Sequence, residues 1–158
     1  MRISVVFVLL AVTLSVSCLK KNNGCAYGAD PAVAPVFEQQ AVKKYLDSVG
    51  ITAASLDSQG FYYQVLNSGS GTMPGQCSQV TVAYKGQLTN GTTFDQQTNA
   101  VFTLGSLIDG WREGLPLIKS GGEIKLYIPP TLGYGNSENS SIPANSILIF
   151  DISLISVQ

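Results

Sequence analysis

Between Ala34 and Val49 apolar residues recur every fourth position: Phe37, Ala41 and Tyr45 form one row, and Val42, Leu46 and Val49 lie beside it. This period predicts a helix with an apolar stripe, with Lys43, Lys44 and Asp47 on its outer face and Gly50 as its stop. Pro31 and Pro35 mark its approach, since proline is tolerated in a first helical turn. After Gly60 the period changes to two. Phe61 to Leu66 reads as a strand and Asn67 to Gly75 as a loop. Val80, Val82 and Tyr84 alternate with polar or small residues in a second strand that continues through Gly86 to Leu88. Asn90-Gly91 is a hairpin turn signal, and Thr92 to Asp95 begins the return strand. The polar run Gln96 to Asn99 reads as a loop before Val101 to Leu104. A short helical stretch lies between Leu107 and Ile118, limited by Pro116, with Trp111, Leu115 and Ile118 on one face. Glu123 to Pro129 is a strand with Ile124, Leu126 and Ile128 on one side, and 130–145 is a Pro-, Gly-, Ser- and Asn-rich loop. Ile147 to Val157 is the last strand, and its denser face carries Leu148, Phe150, Ile152 and Leu154. Five or six strands, one short internal helix and one N-terminal helix predict an α+β fold, an antiparallel sheet wrapped around a short helix.

Composition narrows the chemistry. The 158 residues contain no His, three Cys, nine Lys+Arg and ten Asp+Glu. A Ser-His-Asp hydrolase, a Cys-His protease and a His-ligated metal site are thereby excluded, and three Cys are too few for a four-thiolate cluster. No metal or other cofactor is expected. A net charge of −1 and no basic run longer than Lys20-Lys21 argue against a nucleic-acid surface. Aromatic, aliphatic and hydroxyl side chains, a few carboxylates and backbone groups remain to carry a function.

The first residues read as an export signal. Met1-Arg2 precedes an apolar run from Ile3 to about Val16, shorter than the roughly 20 residues of a membrane span. It ends in Leu14-Ser15-Val16-Ser17-Cys18, which resembles a bacterial lipobox, although Ser15 stands where that motif usually has Leu. The resemblance implies a signal over 1–17 and lipidation of Cys18; the alternative is a plain secretory signal ending near the same point. Residues 18–59 then form a tether and the N-terminal helix, and 60–158 the main domain. With Cys18 lipidated in an oxidising compartment, Cys25 and Cys77 are an even pair that favours a disulfide. Closing that loop contributes about 4 kcal/mol in the chain-entropy model; the alternative is two unrelated thiols. Leu19 follows the Cys where an Asp favours inner-membrane retention, so the expected address is the periplasmic side of the cell envelope, the outer membrane ahead of the inner.

Three segments carry a more specific likeness. VAYKGQLTNGTTFDQ (82–96), FTLGSLIDGWREGLPLIKSGGEIKLYIPPTLGYG (102–135) and SIPANSILIFDISLISV (141–157) resemble, in order and spacing, the motifs of the FKBP family of peptidyl-prolyl cis-trans isomerases. The resemblance covers about residues 60–157. It implies an apolar hollow with Trp111 at its base and Phe94, Phe102, Leu107, Ile142 and Phe150 holding a proline. It further implies Tyr84, Asp95, Ile108 and Tyr134 as the catalytic residues, the Ile108 N–H and the Tyr134 hydroxyl donating to substrate carbonyls and Asp95 shaping local polarity. Taken singly, Phe102, Leu107, Trp111 and Phe150 read as ordinary core residues. The family often has an Arg after its Phe-Asp pair, but Gln96 to Ala100 carry no charge, and Ala144 replaces a second Pro near the pocket rim. The implied partners are X-Pro segments of unfolded or exported proteins, the membrane through the N-terminal lipid, and macrolide inhibitors. A proline-peptide binding module or holding chaperone without turnover is the alternative function.

Overall fold

The computed structural model describes residues 32–138 and 141–158; the export signal, Cys18 and Cys25 lie outside them. Eight elements organise the chain: α1 (Val36–Ser48), β1 (Ser55–Leu56), β2 (Tyr62–Asn67), β3 (Gln79–Leu88), β4 (Thr93–Thr103), α2 (Asp109–Gly114), β5 (Gly122–Ile128) and β6 (Leu148–Val157). The six strands form one antiparallel sheet in the order β1-β2-β5-β6-β3-β4. The α+β architecture and the six-strand count agree with the sequence pattern.

The two sheet faces follow the alternation of side chains along the strands. Val80 and Val82 of β3, Ile124, Leu126 and Ile128 of β5, and Leu148, Phe150, Ile152 and Leu154 of β6 are buried in one cluster with Trp111 and Leu115. This inner face wraps α2. The helix approaches β5 so closely that a Cβ at Gly110 would lie 2.6 Å from Ile128, and one at Gly114 2.7 Å from Leu126. Pro116 lacks an N–H to continue the α-helical ladder, so α2 passes into a single 3₁₀ turn at Leu115–Leu117.

On the outer face α1 buries Val42 and Leu46 against Tyr62, Tyr127 and Ile149. The expected apolar stripe is only partly used, because Phe37 is 69% exposed and Val49 49%. The second half of the helix meets the sheet, and its first turn meets the Pro130–Leu132 turn through Glu38 and Thr131.

Two further differences from the sequence pattern have simple causes. Gln96–Asn99 is not a loop but the middle of the continuous strand β4. As an edge strand pairing only with β3, β4 leaves these side chains to solvent and needs no apolar alternation there. Register shifts between Val82 and Tyr84 and between Gly86 and Gln87 absorb extra β4 residues. The short β1 has both side chains exposed and is held by pairing of Ser55 with Tyr63 and Leu56 with Tyr62, so hydrophobic pattern gave no sign of it.

Candidate active site

At the open end of the inner face four strands and helices converge on Trp111. β3 supplies Tyr84, β4 supplies Phe94, Asp95 and Phe102, β6 supplies Phe150, and the turn entering α2 supplies Leu107 and Ile108. Tyr134 arrives on the loop after β5. These nine residues line a cavity of about 170 Å³. Of the ten pocket positions named from the sequence, only Ile142 is not in this lining; it is buried in the same core cluster as Trp111 and Phe150.

The aromatic geometry is specific. Tyr84 and Phe150 stand 5.2 Å from Trp111, ring centre to ring centre, at interplanar angles of 86° and 90°. Phe102 stands 6.2 Å away at 89°, and Phe94 meets Phe150 edge-on at 5.5 Å. Three rings therefore rise nearly perpendicular from the indole plane. Each edge-to-face contact adds about 0.5–1.5 kcal/mol beyond area burial and restricts ring orientation, so the hollow keeps its shape when empty. Gly86 makes this possible. A Cβ there would lie 2.6 Å from the Phe94 ring and 2.8 Å from Phe150. It is a pocket-forming residue that was visible beforehand only as the Gly of the 82–96 motif. The register shift beside it coincides with Phe94, where the strand re-aims its side chain.

The polar groups sit at the rim. The Tyr84 hydroxyl donates to Asp95 Oδ2 at 2.5 Å. No Lys or Arg pairs with Asp95 among the described residues, and this hydroxyl is its side-chain partner. Burial, then the hydrogen bond to Asp95 and the charge of Asp95, hold the Tyr84 hydroxyl well above its ordinary pKa. Burial and the Asp95 charge also raise Tyr134. Both phenols stay protonated at neutral pH and remain hydrogen-bond donors.

Two donors at the rim and one at the floor are unpartnered among the described residues. Ile108 is the N-cap of α2, with φ −60° and ψ 151°. Its carbonyl accepts from Trp111 and Arg112 N–H at 2.9 and 3.1 Å, while its own N–H donates to no group among the described residues. The Tyr134 hydroxyl likewise has no hydrogen-bond partner among them, and the residue is 39% exposed. Trp111 Nε1 is buried without a partner as well. An apolar hollow with fixed aromatic walls and unsatisfied donors can hold an uncharged ring while anchoring neighbouring peptide carbonyls.

This combination of sheet, wrapped helix and aromatic hollow defines a fold of the FKBP type. The family model for FKBP-type peptidyl-prolyl cis-trans isomerases matches residues 71–155, and the chain belongs to that family. It is 43% identical over 122 residues to the FKBP-type isomerase FkpA of Buchnera aphidicola, covering 74% of this chain and 47% of the relative. The chain thus spans about half the length of the curated relatives it matches. The crystal structure of FkpA from Escherichia coli superposes with a TM-score of 0.70 at 38% identity, covering 78% of this chain and 60% of that one. A peptidyl-prolyl cis-trans isomerase from Pseudomonas syringae gives a TM-score of 0.68 at 30% identity, covering 83% and 99%.

Proposed function

We propose that this protein catalyses cis-trans isomerisation of X-Pro bonds in unfolded or exported chains. The observation that carries the reading is the cavity floored by Trp111, walled by Tyr84, Phe102 and Phe150 and edged by the unpaired donors of Ile108 and Tyr134.

The reaction suits a site without a titrating base. Peptide-bond rotation is opposed by resonance, with a barrier of about 18–20 kcal/mol, and no covalent bond is made or broken. The proline ring enters the hollow over Trp111, and the preceding carbonyl leaves water for an aromatic surround. Water stabilises the planar, charge-separated amide, so its loss favours the twisted form. The Ile108 N–H and the Tyr134 hydroxyl hold carbonyls on the flanking chain while the bond turns between them. Asp95 accepts the Tyr84 hydroxyl and so fixes that ring against the indole. A rate increase of about 10⁴ requires about 5–6 kcal/mol of preferential transition-state binding, within reach of these contacts.

The test follows cis-to-trans conversion of a short X-Pro peptide. A rate rising in proportion to protein concentration is expected. No acceleration by folded protein rejects the isomerase reading, and suppressed aggregation without acceleration assigns a holding chaperone instead. The rim loop after Tyr134 and Ala144 set how a macrolide would fit, and competition in the same assay reads it.

The proposed setting is the cell envelope, with residues 1–17 removed, lipid on Cys18 and the domain on the periplasmic side, outer membrane ahead of inner. The apolar leader, Ser17-Cys18 and Leu19 support it. Cys25 is the proposed partner of Cys77, and the disulfide state of Cys77 supports that pairing. Mass spectrometry of the purified protein tests both: an acylated Cys18 peptide and a 25–77 cross-linked peptide are expected, and a cleaved, unmodified Cys18 removes the anchor.

A further inference from the structure

The two donor-bearing turns of the pocket are both gripped from behind by one segment, residues 32–38, which lies outside the family-matched region 71–155. The Ala32 N–H donates to Asp109 Oδ2 at 3.1 Å, and Asp109 Oδ1 pairs with Arg112 at 2.9 Å, so the chain is tied to the residue that follows Ile108. At its other end Glu38, in the first turn of α1, reaches across 93 positions to Thr131. One carboxylate oxygen accepts the Thr131 N–H at 2.9 Å and the other accepts its hydroxyl, also at 2.9 Å. Between these anchors the Ala34 N–H donates to Gln59 O at 2.8 Å, and Gln39 Nε2 donates to Ala34 O.

Thr131 is the centre of the 3₁₀ turn Pro130–Leu132 that delivers Tyr134. The Gly133 and Gly135 N–H groups both return to Pro130 O, at 2.9 and 2.8 Å, so the stretch from 130 to 135 forms one closed loop with Tyr134 near its end. A bidentate carboxylate on the first half of a closed loop restrains the second half. Beside Glu38, Val36 and Phe37 are 64% and 69% exposed, so the apolar anchor of this segment is Ala34, 2% exposed in the inner core cluster. The first turn of α1 thus starts from Ala34, packed into the core, and meets this loop through the hydrogen bonds of Glu38 and not through Val36 or Phe37.

We infer that Glu38 is a positioning residue: it clamps the Pro130–Gly135 loop through Thr131 and so sets the Tyr134 hydroxyl over the pocket. The inference rests on the proline-binding reading, with Tyr134 as a donor to the peptide. It predicts that the clamp acts on peptide affinity only while Tyr134 has a hydroxyl to place.

The test is a double-mutant cycle of Glu38→Ala with Tyr134→Phe, read by binding of an Ala-Leu-Pro-Phe peptide. Trp111 is the single tryptophan of the chain and lies at the pocket floor, so its fluorescence reports occupancy directly. Glu38→Ala is expected to weaken binding about threefold in the wild-type background, a fraction of one hydrogen bond, and to have no effect beside Tyr134→Phe. Glu38→Gln, which keeps one acceptor oxygen for the Thr131 N–H, should fall between, and so should Thr131→Val. Equal loosening in both backgrounds, or no loosening with the loop contact removed, overturns the inference. Acrylamide quenching of Trp111 in peptide-free protein separates failure of the inference from failure of the functional reading. If wild-type protein binds no peptide the functional reading fails, whereas unchanged quenching in Glu38→Ala means that Glu38 does not set the pocket wall.

Discussion

The two faces of the sheet hold aromatic clusters of similar chemistry and opposite fate. On the outer face Tyr62, Tyr127 and Ile149 are sealed under Val42 and Leu46, and the Tyr127 hydroxyl donates to Gln64 at 2.9 Å. On the inner face Tyr84, Phe102 and Phe150 stand edge-on around Trp111, and no element among the described residues closes over them. One cluster is completed by the protein's own helix, the other leaves its last layer to a guest. The same apolar aromatic surface thus serves stability where its polar atoms are paired and function where donors such as Tyr134 are left open.

Removing one group from each face should separate these roles. Leu46 is 1% exposed at the centre of the outer cluster. Leu46→Ala should cost about 2–5 kcal/mol of unfolding free energy in chemical denaturation. Peptide affinity of the folded fraction should not change, and an altered affinity would mean that the faces are coupled. Trp111→Ala removes the floor of the open cluster. It should lower kcat/KM about 100-fold or more, near 2.7 kcal/mol of transition-state binding. If turnover per folded molecule persists, the indole is only a core residue.

A smaller effect distinguishes the tyrosines. Tyr134→Phe deletes a hydroxyl with no partner among the described residues, so the melting temperature should hold while kcat/KM falls about 5–10-fold, the worth of one hydrogen bond. Tyr127→Phe deletes a buried hydroxyl that is paired, so stability should fall by about 1 kcal/mol with activity unchanged. Paired thermal melts and isomerase assays check both. Reversed outcomes would exchange the roles of the two faces.

Much of this contrast was legible before the structure, but unevenly. The period-two run of β6 gave its face assignment directly, because Leu148, Phe150, Ile152 and Leu154 must share one side of a pleated strand. The pocket was not legible from any local pattern. Its rings come from β3, β4, α2 and β6, and each alone is indistinguishable from core, so only the ordered motifs brought them together. The polar middle of β4 was misread because alternation reports burial, and an edge strand need not bury its second face. The Glu38–Thr131 clamp left no trace at all: 93 positions separate a Glu in a helix from a Thr in a turn, with nothing periodic to connect them.

The smallest expected effect is an absence of change, and it tests the inner face most widely. With no His in the chain, the polar side chains of the pocket hydrogen-bond network that burial and Asp95 displace are Tyr84 and Tyr134, both upward. A phenol whose folded pKa is raised favours the neutral form, so its contribution is complete below the unfolded value near 10 and is lost as pH rises through the folded value. Isomerase activity should therefore be flat between about pH 6 and 9, a range that crosses the titration of any ordinary His. Stability should follow the same sign from the other face. Tyr127 is pushed up to about 12 from 10.0, by burial first and then by the charge of Asp151. Thermal melts should hold to about pH 9.5 and then fall between about 10 and 12 as the buried phenol is forced to ionise. Tyr127→Phe, which has no proton to lose, should flatten part of that alkaline decline. If its melting curve falls as steeply as the wild type, Tyr127 does not set the alkaline limit.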